Sequence, residues 1–193
     1  MTLYKSASGA EFEVDSVEQR SGNSVKSRVP AVSIVGPNGA ATSGGYTSTV
    51  TFTPAAAAYL AGDIMQGARE FTNIGPAGGG EVLIVNTRLR VDAASVVSGE
   101  TSYTLHLYSV TPPSALADNA VWDLPSGDRA SYMGSIALGT PVDLGSTLYV
   151  EQTGLAKQVT VPAGGSLFGY LVTNGGFTAT GAARTLLIKT LSA

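Results

Sequence analysis

The stretch EVLIVNTRLRVD, residues 81–92, decides the fold class of this chain. Apolar and polar residues alternate along it, and in an extended strand every second side chain lies on the same face. The alternation puts one set of residues on the face that we expect to be buried: Leu83, Val85, Thr87, Leu89 and Val91. A period of two predicts a strand with one side on the core and the other side in solvent.

Similar short runs of β-branched and aromatic residues follow from position 29 onward, separated by clusters of Gly, Pro, Asn and Ser. This pattern is typical of many short strands. In the run 101–110 we expect Tyr103, Leu105 and Leu107 to face the core, and His106 to face outward or towards a rim. The other predicted strands are residues 47–53, 59–65, 130–138, 147–150, 158–161, 167–173 and 185–191.

About eight or nine strands suit two packed antiparallel sheets. No window shows the helical repeat that the crossover connections of a parallel sheet would need. We therefore predict an all-β fold, an antiparallel β-sandwich or jelly roll in residues 31–193, with an extended N-terminal arm in residues 1–30.

The predicted arm differs from the rest of the chain in charge. Eight of its 30 residues are charged, whereas the whole chain has only 11 basic and 14 acidic residues. It has too few large apolar residues to build a core. It is either a disordered tail or an arm that orders on a neighbouring molecule, with patches such as residues 11–14 pairing as strands. The candidate partner-binding residues are Phe12, Val14, Arg20, Lys26 and Arg28.

Composition limits the classes of partner. Only 13% of the residues are charged, about half the usual share of roughly 25%, which is typical of a secreted or structural β-protein or of a surface covered by partner subunits. There is no basic field for direct nucleic-acid binding. There is also no apolar run long enough to span a bilayer and no signal-peptide core at the start. We expect a soluble chain made in the cytoplasm, with no membrane partner.

The residues available for catalysis are few. His106 is the only histidine, it lies in mid-strand, and no nucleophile or carboxylate is placed beside it as a catalytic triad requires. The chain has no cysteine, and its glycine runs do not match a phosphate-binding loop. We predict no catalytic residue, no cofactor and no enzymatic activity, with His106 on the polar face of its strand.

Four residues in one segment allow two interpretations each. Asp118, Asp123 and Asp128 recur at intervals of five and are either turn and capping aspartates, which we favour, or calcium ligands, since calcium prefers clustered oxygens. Trp122, the single tryptophan, either stacks on a sugar or plugs one end of the sandwich. We favour burial, because Val121 and Leu124 flank it.

One part of the sequence resembles a known group of proteins. After the strand at 81–92 come YTLHLY at 103–108, TPP at 111–113, ADNA at 117–120 and YMGSI at 132–136. This order resembles small virion proteins of tailed bacteriophages, including capsid cement or decoration proteins. The similarity covers about residues 60–190 in pattern, with its specific part at 103–136.

The resemblance implies a jelly-roll domain on an icosahedral shell, often a trimer, that performs no chemistry. Its partner would be the major capsid protein, and its location the capsid surface of a virion assembled in the host cytoplasm. The alternative is a phage tail or fibre domain, or another carbohydrate-binding β-sandwich, in which Trp122 forms a sugar platform with Tyr132 or Tyr108.

Overall fold

The structure, a computed structural model, describes residues 45–192 in full, together with the strand backbone of residues 2–5 and 11–14. The chain divides into two units, Met1–Ala41 and Thr42–Ala193. In the first unit, β1 (Thr2–Lys5) and β2 (Glu11–Val14) pair as an antiparallel two-stranded sheet. The strand predicted at residues 11–14 is therefore present.

Within residues 45–192 every regular element is a strand. The strands are β3 (Tyr46–Phe52), β4 (Ala58–Tyr59), β5 (Arg69–Phe71), β6 (Gly80–Val91), β7 (Tyr103–Tyr108), β8 (Tyr132–Leu138), β9 (Val142–Asp143), β10 (Leu148–Val161), β11 (Leu167–Thr173), β12 (Phe177–Thr178) and β13 (Arg184–Ser192). In this part of the chain no helix has the length and apolarity that crossing a membrane requires.

Two antiparallel sheets pack face to face. The five-stranded sheet has the order β3-β13-β6-β10-β9 and the four-stranded sheet the order β5-β11-β7-β8, while β12 and β4 form a separate pair. The predicted all-β sandwich is confirmed. One core lies between the sheets and takes residues from both, including Leu89, Leu105 and Leu171.

The eight longest strands of this unit pair in a nested order. The first, β3, pairs with the last, β13; β5 pairs with β11, β6 with β10, and β7 with β8. The first and third of these pairs lie in the five-stranded sheet and the other two in the four-stranded sheet. Most consecutive strands therefore lie in opposite sheets.

The alternation along β6 changes phase at a bulge. Every second residue from 87 to 91 is buried, as predicted, but further towards the N-terminus Ile84 is buried while Leu83 and Val85 are only half-buried. The pairing with β13 passes from Asn86 directly to Ile84, so Val85 is the extra residue of a β-bulge. One extra residue exchanges the two faces of a strand. The prediction that Leu83 and Val85 face the core is wrong for this reason.

Two other strand predictions also differ from the structure. The predicted strands 147–150 and 158–161 correspond to one long strand, β10, which begins at Leu148 and whose pairing with β6 shifts between Thr153 and Lys157. Residues 59–65 do not form one strand, because the chain turns at 60–63, where the amide of Asp63 donates to the carbonyl of Leu60 over 3.1 Å and Gly62 has a φ of 95°.

The outer face of the four-stranded sheet is covered by residues 109–131, which we call the covering loop. It connects β7 to β8 and bonds to the segment after β4: the amide of Ile64 donates to the carbonyl of Ala120 over 2.8 Å, and that of Trp122 donates to Gly62 over 2.8 Å. A second apolar cluster fills the space beneath it, around Tyr108 and Tyr170. Both faces of the two central strands, β7 and β11, are thus largely buried.

Candidate interaction surfaces

His106 lies under the covering loop. Its side chain lies on one face of β7, and those of Leu105 and Leu107 lie on the other. His106 is 8% exposed and stacks on Trp122, with ring centroids 3.6 Å apart. Its Nδ1 is 3.0 Å from the hydroxyl of Tyr132. Burial lowers the pKa of His106 to about 4, because removing water disfavours the charged imidazolium. The prediction of a solvated polar face is wrong here, since the loop covers it.

Trp122 fastens the covering loop to the sheet. Its indole Nε1 donates to the hydroxyl of Tyr108 over 3.2 Å, and Tyr108 is fully buried. Burial raises the pKa of Tyr108 to about 12. The favoured interpretation, a structural tryptophan, agrees with these contacts, but Trp122 is only half-buried and lies on the outer face of a sheet, not at one end of the sandwich.

A sugar platform of Trp122 with its two candidate tyrosines finds limited support. The structure does bring Trp122, Tyr108 and Tyr132 together, with the Trp122 and Tyr132 rings 6.1 Å apart. However, Tyr108 has no exposed surface, and one face of the Trp122 ring is occupied by His106. Only Trp122 and Tyr132, both half-buried, can meet a ligand.

The three aspartates have separate places. Asp118 accepts hydrogen bonds from the hydroxyl of Tyr59 over 2.8 Å and from the amide of Gln66 over 2.6 Å. Asp128 is buried and accepts from the amide of Ser114 over 3.0 Å, while Asp123 is exposed. Asp118 and Asp128 therefore cap turns and hold the covering loop, which is the interpretation we favoured. Within the described part of the chain, no three His, Asp or Glu side chains group as metal ligands would.

A buried ion pair lies at the end of the sandwich where β13 begins. Arg184 Nη2 is 3.7 Å from Glu100 Oε1, with side chains 3% and 1% exposed. Tyr103 donates its hydroxyl to the same carboxylate, and burial raises the pKa of Tyr103. Sequence reasoning missed this cluster, because its two charges are far apart in the chain and neither belongs to a motif.

Two pairs of large apolar side chains are exposed. Leu60 and Val121 are 69% and 65% exposed, and Asp63 is a neighbour of both. Asp63 forms an isolated β-bridge with Val121, and its carboxylate accepts a hydrogen bond from the amide of Leu60 over 2.6 Å. Val142 and Leu144, 59% and 63% exposed, lie in and just after β9. Apolar residues exposed singly are ordinary, and it is larger contiguous apolar patches that mark contact with other molecules.

The predicted partner-binding residues fall into two groups. Phe12 and Val14 lie in β2, opposite Tyr4 and Thr2 of β1. Since alternate residues of paired strands share a face, these four residues lie on one face of the hairpin, and Leu3, Lys5, Glu11 and Glu13 lie on the other. Arg20, Lys26 and Arg28 lie outside the described residues.

No protein-family model and no curated protein matches the sequence. Among solved structures, the chain is similar to one described as "Cyanophage Pam1 capsid asymmetric unit", with 17% sequence identity and a TM-score of 0.30. The similarity covers 77% of this chain and 84% of that one. The chain thus has a weak structural neighbour in a phage capsid, and a similarity of this size says nothing about function.

Proposed function

We propose that this chain is a non-enzymatic virion structural protein, a cement or decoration protein that binds the major capsid protein on the outside of a phage head. In this proposal the sandwich is the body of the subunit, which associates as a homotrimer. The N-terminal unit is the part that fastens it to its neighbours. The virion assignment itself rests on the motif order at residues 103–136, which resembles such proteins.

The observation that carries the proposal is the two-faced hairpin of β1 and β2. Two strands of four residues are at best marginally stable alone in water and need a further strand or a packing surface. Tyr4, Phe12 and Val14 share a face that must be covered if the hairpin is to persist. A segment with these properties is suited to binding another subunit.

The strand order supports the jelly-roll part of the proposal. Lettered B to I along the chain, the eight longest strands of the sandwich give sheets of order B-I-D-G and C-H-E-F. Jelly rolls have an eight-stranded double-sheet arrangement of this kind, and they are common among viral capsid and lectin domains. Because one fold serves many functions, this strand order supports the fold proposed for the subunit and does not bear on its function.

The test compares phage particles assembled with and without the chain. We expect particles without it to lose their DNA at lower temperature and in lower concentrations of chelator. Purified wild-type protein added back should restore resistance, whereas a variant with Tyr4, Phe12 and Val14 changed to Ser should not. A variant with Lys5→Arg and Glu11→Asp, which changes two residues of the opposite face and keeps their charges, is the matched control. Equal resistance of both kinds of particle would refute the cementing role.

A glycan-binding role is the second candidate, and Trp122 and Tyr132 are the only residues of its predicted platform with exposed surface. A glycan array with the full chain tests it. Signal above background that Tyr132→Ala abolishes would favour this function, and no signal would remove it.

A further inference from the structure

The edges of the two sheets differ in how they are protected against further strand pairing. An edge strand presents unpaired backbone groups, and natural proteins guard such edges with short strands, charges, bulges or proline. In the four-stranded sheet, β5 has three residues, two of them charged. At the other edge of this sheet, β8 has a bulge near Gly134, and such a bulge disfavours the pairing of a further strand.

The five-stranded sheet has one guarded and one unguarded edge. On one side β9 has two residues, and the rest of β10 carries Glu151 and Lys157 and a register shift. On the other side β3, with the sequence YTSTVTF, has no charge, proline, glycine or shift over seven residues. Within residues 45–192, β3 pairs with β13 alone.

We propose that the unguarded edge of β3 accepts the β1–β2 hairpin of a second copy of this chain as an added strand. The proposal rests on the proposed function for its premise that copies associate. It adds which surface of the sandwich is bound, which segment binds there, and how the segment binds, namely by β-strand addition.

The two faces of the hairpin match those of β3. On β3, Ser48 and Phe52 are buried towards the core and Thr47, Thr49 and Thr51 are exposed. The hairpin face with Phe12 and Val14 would extend the apolar inner face of the sheet. Its other face would extend the polar outer one. A strand is held in register in this way when only one of its faces can be buried.

Charge also agrees with this placement. Lys189 lies opposite Thr47 on β13, one strand in from the edge, and is exposed. Glu11 and Glu13 share the hairpin face that would continue this outer surface. Their carboxylates would therefore come within one or two strands of a cation, which favours the pairing modestly at an exposed site.

The length of chain between hairpin and sandwich is sufficient for binding to a second copy. Residues 15–45 can span up to about 100 Å if fully extended, whereas a domain of this size has a radius of gyration of about 15 Å. The hairpin can therefore reach a neighbouring sandwich. Reciprocal exchange, in which each copy gives a hairpin and accepts one, closes into a symmetric oligomer.

Disulfide trapping tests the proposal directly, because the full chain has no native cysteine. One version carries Lys5→Cys or Glu13→Cys, and a second version of different mass carries Thr47→Cys, Thr49→Cys or Thr51→Cys. After mixing and mild oxidation we expect a disulfide between the two versions at one of these pairings, since bridging requires adjacent strands. Thr153→Cys, on the outer face of β10, is the control and should not crosslink.

Association in solution gives the second readout. Thr49→Lys adds a charge to the unguarded edge and should raise the dissociation constant for self-association at least tenfold in sedimentation equilibrium. Thr153→Lys, with the same change of charge, should leave it unaltered. Circular dichroism melting confirms that both variants fold.

Two results would overturn the proposal. One is no crosslink at any β3 position. The other is a crosslink that forms only within a single chain when both cysteines are placed in it, since each hairpin would then cover its own sandwich. The proposed function is judged separately: interchain crosslinks without particle stabilisation would refute cementing alone, and stabilised particles without crosslinks would refute this inference alone.

Discussion

At the residue scale, Glu100 and Arg184 hold opposite charges inside the end of the sandwich. The carboxylate also accepts from the hydroxyl of Tyr103 and, over 3.3 Å, from the amide of Val97, while Arg184 Nη1 donates to the carbonyl of Ala182 over 3.2 Å. A buried ion pair of this kind stabilises a protein little more than apolar residues of the same size would. Removing one partner, however, leaves the other charge buried and unpaired. The pair thus ties the 92–102 loop to the start of β13.

We expect Arg184→Met to lower the free energy of unfolding by about 3–5 kcal/mol, because it leaves a buried carboxylate unpaired. The double variant with Glu100→Gln as well should lose less than the single one. Urea denaturation measures both, and Arg90→Met, at an exposed position of β6, should change stability by less than about 0.5 kcal/mol. A loss below about 1 kcal/mol for Arg184→Met would contradict the argument.

His106 gives a prediction on pH. Its pKa falls from 6.5 to about 4 on folding, so between these values the unfolded chain binds more protons than the folded one. Stability is therefore complete above pH 6.5 and declines as the pH falls towards 4, by at most about 3 kcal/mol. His106→Gln, which keeps an amide near Tyr132, should lose this part of the pH dependence. Because it is the only histidine, NMR titration can follow its imidazole directly, and an apparent pKa near 6.5 would contradict the burial argument.

At the scale of elements, β-bulges determine which side chains each strand presents to the core. The bulge in β8 has Gly134 at a φ of 87°, a left-handed conformation that costs other residues roughly 1–2 kcal/mol. A β-carbon at this position would also lie 2.8 Å from the ammonium of Lys157. The bulge therefore depends on glycine at this position.

Gly134→Ala is expected to destabilise the protein by about 1–2 kcal/mol through the positive φ, because the flexible Lys157 side chain can move away from the added carbon. Gly127→Ala is the matched control, because its φ is not positive and no atom lies within 4 Å of the added carbon. Thermal unfolding of the two variants should separate them. Equal midpoints would contradict the role given to Gly134.

The same bulges show how far the sequence could predict the fold. Residues 167–173 were predicted as a strand and form β11 with those bounds, because a short apolar run between two pairs of glycines suffices there. The phase error at Leu83 and Val85 arose because a bulge is fixed by both neighbouring strands and leaves no local signal. The candidate site was harder still: alternation predicted correctly that His106 lies on the opposite face of β7 from Leu105 and Leu107, but the covering loop that buries this face could not be foreseen.

At the scale of the whole molecule, the two units are separate in their internal contacts, and the sandwich has its own core. Removing residues 1–41 should leave the unfolding midpoint of the sandwich within about 2 °C at protein concentrations too low for self-association, since less than about 1 kcal/mol is then lost. The same truncation should abolish self-association. Differential scanning calorimetry and sedimentation measure the two effects, and a large fall in the midpoint would show that the units depend on each other.

The nested strand order has a consequence for synthesis on the ribosome. Thr51 of β3 meets Thr185 of β13 across 134 residues, which a ribosome adds in roughly 7 to 27 seconds at about 5–20 residues per second. Throughout this time β3 has emerged without its permanent partner, and both of its edges are open to other nascent chains. Copies translated side by side on one messenger can therefore meet before either sandwich has closed.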